Sequence, residues 1–385
     1  MIERRDHGDG GIDARGDGRW RLRYRVGGKR YSVTFKGTLS EARRELRRLV
    51  KSGEDGQHVA PNRVTLSQWC ERWLASRKVN ERTRERYAGL LKNQVLPELG
   101  KRRLQSLTTA DVDGLYQAIA TSGLSARTQH HVHVVLSGCL KTAVLKGMIT
   151  ANPADRADKP KARESDAARV LDAKDLRRLV DGFRGHPLHG IVAVAAWTGA
   201  RRGEILALRW CDVDVAAKTL SITRAVETTK AYGRRTKEPK TERGNRTIAV
   251  DDGLISLLAA IRESHQRLIA GIPDRARADL SLIKLPPETL VFPAPGDDLE
   301  RLRDADAVTH TFQRQAAKLG FGELRFHDVR GSHETMLLDA GVPVHTVAAR
   351  CGHDPAVLLR TYAKRTAGSD AKAAEVIAKL ASFTA

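Results

Sequence analysis

Between Arg19 and Val26 the chain reads RWRLRYRV, with arginine at every second position. A period of two puts Arg19, Arg21, Arg23 and Arg25 on one side of a strand and Trp20, Leu22, Tyr24 and Val26 on the other, a separation no helix can make. Gly27-Gly28 turns the chain, and Tyr31, Val33 and Phe35 alternate on the way back, as in a hairpin. Thr38-x-x-Glu41 then reads as a capping box, and Ala42, Leu46, Leu49 and Val50 give the helix behind it a buried side that ends near Gly53. Residues 1–60 are therefore expected to form a small three-stranded sheet packed on one helix. Four arginines side by side repel unless something neutralises them, so the sheet's outer face is expected to lie in a DNA groove.

After Pro61 the period changes to that of helices. Thr65-x-x-Gln68 caps a segment with Leu66, Trp69, Cys70, Trp73 and Leu74 at helical spacing. A basic segment follows, with Tyr87, Leu90, Leu91 and Val95 inward, Arg82, Arg84 and Arg86 outward, and Pro97 ending it. Two more helices start at Thr108 or Thr109 and at Ser125, so residues 61–154 are expected to be a four-helix bundle. His131 is adjacent to His130 and two residues from His133, positions that do not share a helix face, and no acid or cysteine completes a set, so no metal site is expected there. The segment 155–168, charged and without periodicity, reads as a linker.

The formal net charge is +21, and it is spread along the chain: residues 1–60 hold 15 Lys/Arg against 9 Asp/Glu, and residues 61–160 hold 16 against 8. A polyanion touching every part of the chain explains that distribution, and double-stranded DNA is the expected partner. Cys70, Cys139, Cys211 and Cys351 are scattered in sequence, and no apolar run approaches the ~20 residues of a membrane span. With no apolar signal segment at the start, the chain is expected to work in a bacterial cytoplasm.

The chemistry concentrates in residues 169–385. An apolar helix around Ile191–Trp197 runs into TGARRGEI, where Thr-Gly breaks the chain, Arg201 sits at the turn and Glu204 can orient it. Glu238-Pro239-Lys240-Thr241 places a lysine in a turn between strands. HDVR brings His327 and Arg330 together, Gly352-His353 follows, and Tyr362 comes nine residues later. Such cations bind the nonbridging oxygens of a phosphodiester, a histidine moves protons, and a phenol can attack phosphorus.

With these five motifs in this order, the chain resembles the tyrosine recombinases, phage-type integrases in particular, over essentially its whole length. The resemblance implies an arm-type DNA-binding domain (1–60), a core-binding helical domain (61–154), a linker (155–168) and a catalytic domain (169–385). The expected fold class is multidomain α+β, the last domain mostly helical with a small antiparallel sheet. It also implies roles. Tyr362 would be the nucleophile, and Arg201 and Arg330 would clamp the scissile phosphate. Lys240 would protonate the leaving 5′ oxygen, His327 would assist proton transfer, His353 would hydrogen-bond the phosphate, and Glu204 would support the arrangement.

Three positions depart from the family's pattern: Gly331 stands where a histidine is common, His333-Glu334 replace small or apolar residues, and Cys351 replaces a usual leucine. The implied reaction needs no metal and no cofactor, because the 3′-phosphotyrosyl bond stores the energy for rejoining. The expected activity is site-specific integration, and in reverse excision, of a phage or mobile element. A homotetramer on core-type and arm-type sites would perform it, and an excision factor or a DNA-bending protein would be further partners. The alternatives are a non-catalytic DNA-binding regulator on the same fold and a type IB topoisomerase. A terminal helix over Asp370–Ala385, with Val376, Ile377, Leu380 and Phe383 on one side, is expected to dock on a neighbouring protomer.

Overall fold

The computed structural model describes residues 10–56, 58–161, 169–239, 244–273 and 276–365. The chain divides into two compact units, residues 1–164 and 165–385. In the first, β1 (Gly11–Ala14), β2 (Arg19–Val26) and β3 (Lys29–Lys36) form an antiparallel sheet with β2 central, and α1 (Leu39–Glu54) covers one face. Leu22 and Tyr24 are buried against Ala42 and Leu46, while all four arginines of β2 are exposed on the other face. The Thr38–Glu41 capping box is present at the start of α1. One charge of the arginine row is met within the chain, since Arg23 Nη2 lies 2.8 Å from Asp13 Oδ1 of β1.

The same unit holds a separate hydrophobic cluster built by α2 (Leu66–Ser76), α3 (Glu81–Leu90), α4 (Leu96–Leu99), α5 (Thr109–Thr121) and α6 (Ala126–Leu145). Pro97 does not end the second helix of this bundle. The chain widens into a π-helical turn over Leu91–Val95 and continues to Leu99. A proline lacks the N–H for the regular ladder and its ring crowds the preceding turn, so a wider turn accommodates it. Residues 155–161 are not free of the bundle: Ala157 is buried in its core and Asp158 N donates to Asp113 Oδ1 at 2.8 Å. Residues 162–168, the rest of the expected linker, lie outside the described residues.

The second unit is mostly helical. Its described elements are α7 (Ala173–Gly182), α8 (His189–Thr198), α9 (Arg202–Ile205), β4 (Val213–Asp214), β5 (Thr219–Ile222), β6 (Ala225–Thr229), β7 (Gly233–Lys237), β8 (Arg246–Ala249), α10 (Asp252–Ile269), α11 (Ala305–Lys318), α12 (Phe326–Asp339), α13 (Val344–Cys351) and α14 (Pro355–Arg365). The small antiparallel sheet expected here is present among the described residues as β4-β5-β8, with the hairpin β6-β7 beside it in sequence. Helix α8 is buried nearly all round and forms the centre of the core. Phe312 of α11 stacks on Phe183 at 5.6 Å and meets Phe326 of α12 edge-on at 5.2 Å, which fixes where α12 enters the site. Among the described residues no helix is long and apolar enough to cross a membrane. The terminal helix expected over Asp370–Ala385 lies outside the described residues.

Candidate active site

Helix α8 stops at Gly199, which adopts the left-handed conformation with φ 63°. A side chain there is excluded twice over, by backbone strain and because a Cβ would sit 2.7 Å from His333 Cδ2 and 3.0 Å from Cys351 Sγ. The tight turn delivers Arg201 to the start of α9. Its backbone N–H donates to Glu204 Oε2 and its Nη1 to Glu204 Oε1, both at 2.8 Å, while Nη2 donates to the Gly352 carbonyl at 2.8 Å. Glu204 is buried and also accepts from Arg246 Nη2 at 2.7 Å. Burial alone would raise the Glu204 pKa; the hydrogen bond and charge of Arg246, joined by those of Arg201, prevail and lower it.

Arg330 projects from α12 and is buried. Its Nη1 donates to the Gly199 carbonyl at 2.6 Å and its Nη2 to the Cys351 carbonyl at 2.7 Å. Burial pushes this guanidinium below its ordinary value, yet an arginine stays charged at neutral pH. Arg201 and Arg330 are thus held by consecutive carbonyls, Gly352 and Cys351, at the end of α13. The two arginines and His327 line one cleft of about 430 Å³, with Arg202, Arg325 and Phe326 on its other walls. His327 is exposed on the first turn of α12. Two guanidiniums and an imidazole on one open cleft suit a phosphodiester, whose developing charge they can offset.

His353 follows directly on the Cys351-Gly352 turn, its Nε2 2.8 Å from Glu334 Oε1. Tyr362 lies on α14, and its hydroxyl donates to Asp339 Oδ1 at 2.9 Å. The spacing of motifs therefore brings Arg201, Glu204, His327, Arg330 and His353 together, and puts the Tyr362 hydroxyl on the carboxylate that ends α12. Lys240 lies outside the described residues, between β7 and β8.

The residues expected to meet DNA divide. Arg19, Arg21, Arg25, Arg82 and Arg86 are exposed, as is Arg23 with its Asp13 partner. Arg84 is not outward: Nη1 donates to the Leu74 carbonyl at 3.0 Å and Nη2 to the Arg77 carbonyl at 3.3 Å, closing the end of α2. Arg86 contacts His131 Nδ1, His133 Nδ1 pairs with the Tyr116 hydroxyl at 2.7 Å, and His130 Nδ1 lies 3.2 Å from the Pro160 carbonyl. The three histidines thus face three different partners. Of the cysteines, Cys70 and Cys139 are buried with sulfurs 3.7 Å apart, a proximity the sequence spacing conceals.

Three supporting residues escape motif reading. Arg246 reaches from β8 to Glu204 and also donates through Nε to the Arg350 carbonyl at 2.7 Å. Arg350 donates to the Trp197 carbonyl at 2.9 Å and to His333 Nε2 at 3.3 Å. His333, whose pKa burial lowers to about 4, is neutral at pH 7. Its Nδ1 then carries the proton and faces the Ala196 carbonyl at 2.9 Å. This departure from the family's pattern is a wedge under Gly199. Asp339, the partner of the tyrosine, is the third.

Comparison with known proteins identifies the family. Residues 169–368 match the phage integrase family, and residues 65–119 match the phage integrase N-terminal SAM-like domain. The chain belongs to the phage integrase family, and it is a tyrosine-type site-specific DNA recombinase, an integrase. It is 29% identical over 391 residues to an integrase of Streptomyces ambofaciens, covering 95% of this chain and 94% of that one. It is 27% identical over 343 residues to the putative prophage phiRv2 integrase of Mycobacterium tuberculosis, covering 89% and 85%. Its fold is similar to that of the Tn1549 transposon integrase in complex with a circular intermediate DNA (TM-score 0.64, 20% identity, 82% of this chain and 99% of that one). It is also similar to a lambda integrase dimer bound to a COC′ core site (TM-score 0.58, 16% identity, 94% and 97%). Neither a non-catalytic regulator nor a type IB topoisomerase is favoured by these matches.

Proposed function

We propose that Tyr362 is the nucleophile of this recombinase and that Arg201, Arg330 and His353 hold the scissile phosphate of double-stranded DNA. The observation that carries the assignment is the shared anchoring of the two arginines on the carbonyls of Cys351 and Gly352, beside His353 and on the same cleft as His327. The phenol oxygen attacks phosphorus while the bond to the 5′ oxygen breaks. The products are a 3′-phosphotyrosine and a free 5′-hydroxyl, with Lys240 as the acid for the leaving oxygen and His327 assisting proton transfer. A 5′-hydroxyl from another duplex reverses the step and joins new partners. Covalent trapping on a nicked duplex carrying the sequence that flanks the gene tests the assignment.

Before attack the Tyr362 hydroxyl must leave Asp339. Asp339→Ala is expected to leave core-site affinity unchanged and to raise the single-turnover cleavage rate by no more than about 5-fold, the equivalent of one ~1 kcal/mol hydrogen bond. A slower variant in a rapid-quench assay would instead make Asp339 part of the reaction.

The reading divides the chain into an arm-type DNA-binding domain (1–60), a core-binding domain (61–154), a linker (155–168) and a catalytic domain (169–385). Separate hydrophobic clusters for the sheet, the bundle and the last unit support this division. The exposed arginine face of β2 supports arm-site binding, with a homotetramer, and accessory proteins that set direction, completing the assembly. Replacing Arg21 and Arg25 by alanine is expected to flatten the slope of log affinity against log salt on arm-site DNA by about 2. Adduct formation on isolated core-site DNA stays at the wild-type level. An unchanged slope in a filter-binding titration would remove that face from the interface.

A further inference from the structure

One departure from the family's pattern has no packing explanation. Glu334 sits one turn beyond Arg330 on α12, and its side chain is 3% exposed. Oε1 lies 2.9 Å from Arg330 Nε and 2.8 Å from Nε2 of His353, which belongs to the turn after α13. A single carboxylate oxygen therefore spans two elements and touches both groups assigned to the phosphate. Arg330 Nε and Glu334 Oε1 meet as charges rather than along a linear hydrogen bond. A buried carboxylate is costly unless paired, and a small apolar residue would fill this place without that cost. The pairing with the Arg330 guanidinium, next to the His353 imidazole, is what gives the carboxylate a reason to be there.

We propose that Glu334 is a positioning residue that couples Arg330 to His353, so that the two approach one phosphate as a unit. The carboxylate itself touches no DNA. Gly199 and Cys351 carbonyls fix the two ends of the Arg330 fork, and Glu334 fixes its remaining nitrogen relative to the imidazole. This inference rests on the assignment of Arg330 and His353 made above.

The test is a double-mutant cycle on full-length protein with a nicked core-site duplex, read as single-turnover cleavage rate and, separately, as DNA affinity. Glu334→Ala is expected to slow cleavage roughly 10- to 100-fold, the range for residues that orient reacting groups. Affinity should change less than about threefold, and most of the rate loss should disappear in a His353→Ala background. A purely structural carboxylate would give the same factor in both backgrounds, and that additivity, or a wild-type rate, overturns the proposal. If Glu334→Ala does not fold, Glu334→Gln, of equal shape and without charge, takes its place in the cycle. If neither folds, Glu334 is a structural ion and the proposal falls. Arg330→Ala and Tyr362→Phe run alongside: an adduct from either would sink the site assignment itself, whereas their silence with an additive cycle sinks only the coupling.

Discussion

Tyr362→Phe is expected to bind core-site DNA as the parent does and to form no denaturant-resistant adduct with it. The substitution removes one oxygen and keeps the ring, so the packing of α14 is preserved. The bond lost, to the exposed Asp339 Oδ1 at 2.9 Å, contributes at most ~1 kcal/mol to stability. The chemical loss is of another order, because the phenol oxygen is the atom proposed to form the bond to phosphorus. Adduct formation should fall by at least about 10⁴-fold, as when one member of a concerted catalytic set is deleted. A gel under denaturing conditions with end-labelled nicked duplex reads this directly. An adduct of unchanged yield in the phenylalanine variant would place the nucleophile elsewhere.

The second large effect is expected at Glu204. Its carboxylate faces Arg246 with both side chains buried, 6% and 7% exposed, whereas its partner Arg201 is 42% exposed. Solvent screens the Arg201 pair, so most of the stability lies in the Arg246 pair. Glu204→Ala strands the Arg246 guanidinium in the core, and the loss is expected to be about 3–5 kcal/mol. The same variant removes the carboxylate that orients Arg201 and leaves its bond to the Gly352 carbonyl, so cleavage falls as well.

The pH dependence follows from the direction of the shift. The Glu204 pKa is lower in the folded chain than in the unfolded one. Its contribution is therefore fully present above the unfolded value, ~4.3, and is lost as pH falls through the folded value. Urea titrations of parent and Glu204→Gln between pH 7 and pH 3 should converge at the acid end. Parallel curves across that range would deny Glu204 its role.

What could be read from the chain alone follows from how local each signal is. The hairpin of β2 and β3, the capping boxes at Thr38 and Thr65 and the pairing of Arg201 with Glu204 all rest on residues two to four apart. Motif reading therefore assembled the cleft. It could not see Arg246, whose target lies 42 positions upstream, or Arg350, which bonds a carbonyl 153 positions away. Their sequence surroundings are those of ordinary surface arginines. Helices α10 and α11 carry no chemical mark in the sequence, although Phe312 of α11 seats α12. Arg84 looked outward because alternating arginines on a basic helix suggest a solvated face, yet the open end of α2 offered carbonyls closer than water. The partner of Tyr362 depends on how α14 folds back toward the end of α12, a tertiary fact with no local trace.

The carbonyls of Cys351 and Gly352 hold the two arginines through groups every amino acid carries. Arg330 and Arg201 are therefore indifferent to which side chains stand at the end of α13, provided the turn keeps its shape. An apolar residue in place of Cys351 can drift without any message reaching the chemistry, whereas Gly352, left-handed at φ 63°, cannot. Saturation mutagenesis of the two neighbours should return opposite profiles: broad tolerance among apolar residues at the first, near-total intolerance at the second. In evolutionary terms the site has delegated part of its most exacting geometry to the one component of a protein that mutation cannot exchange.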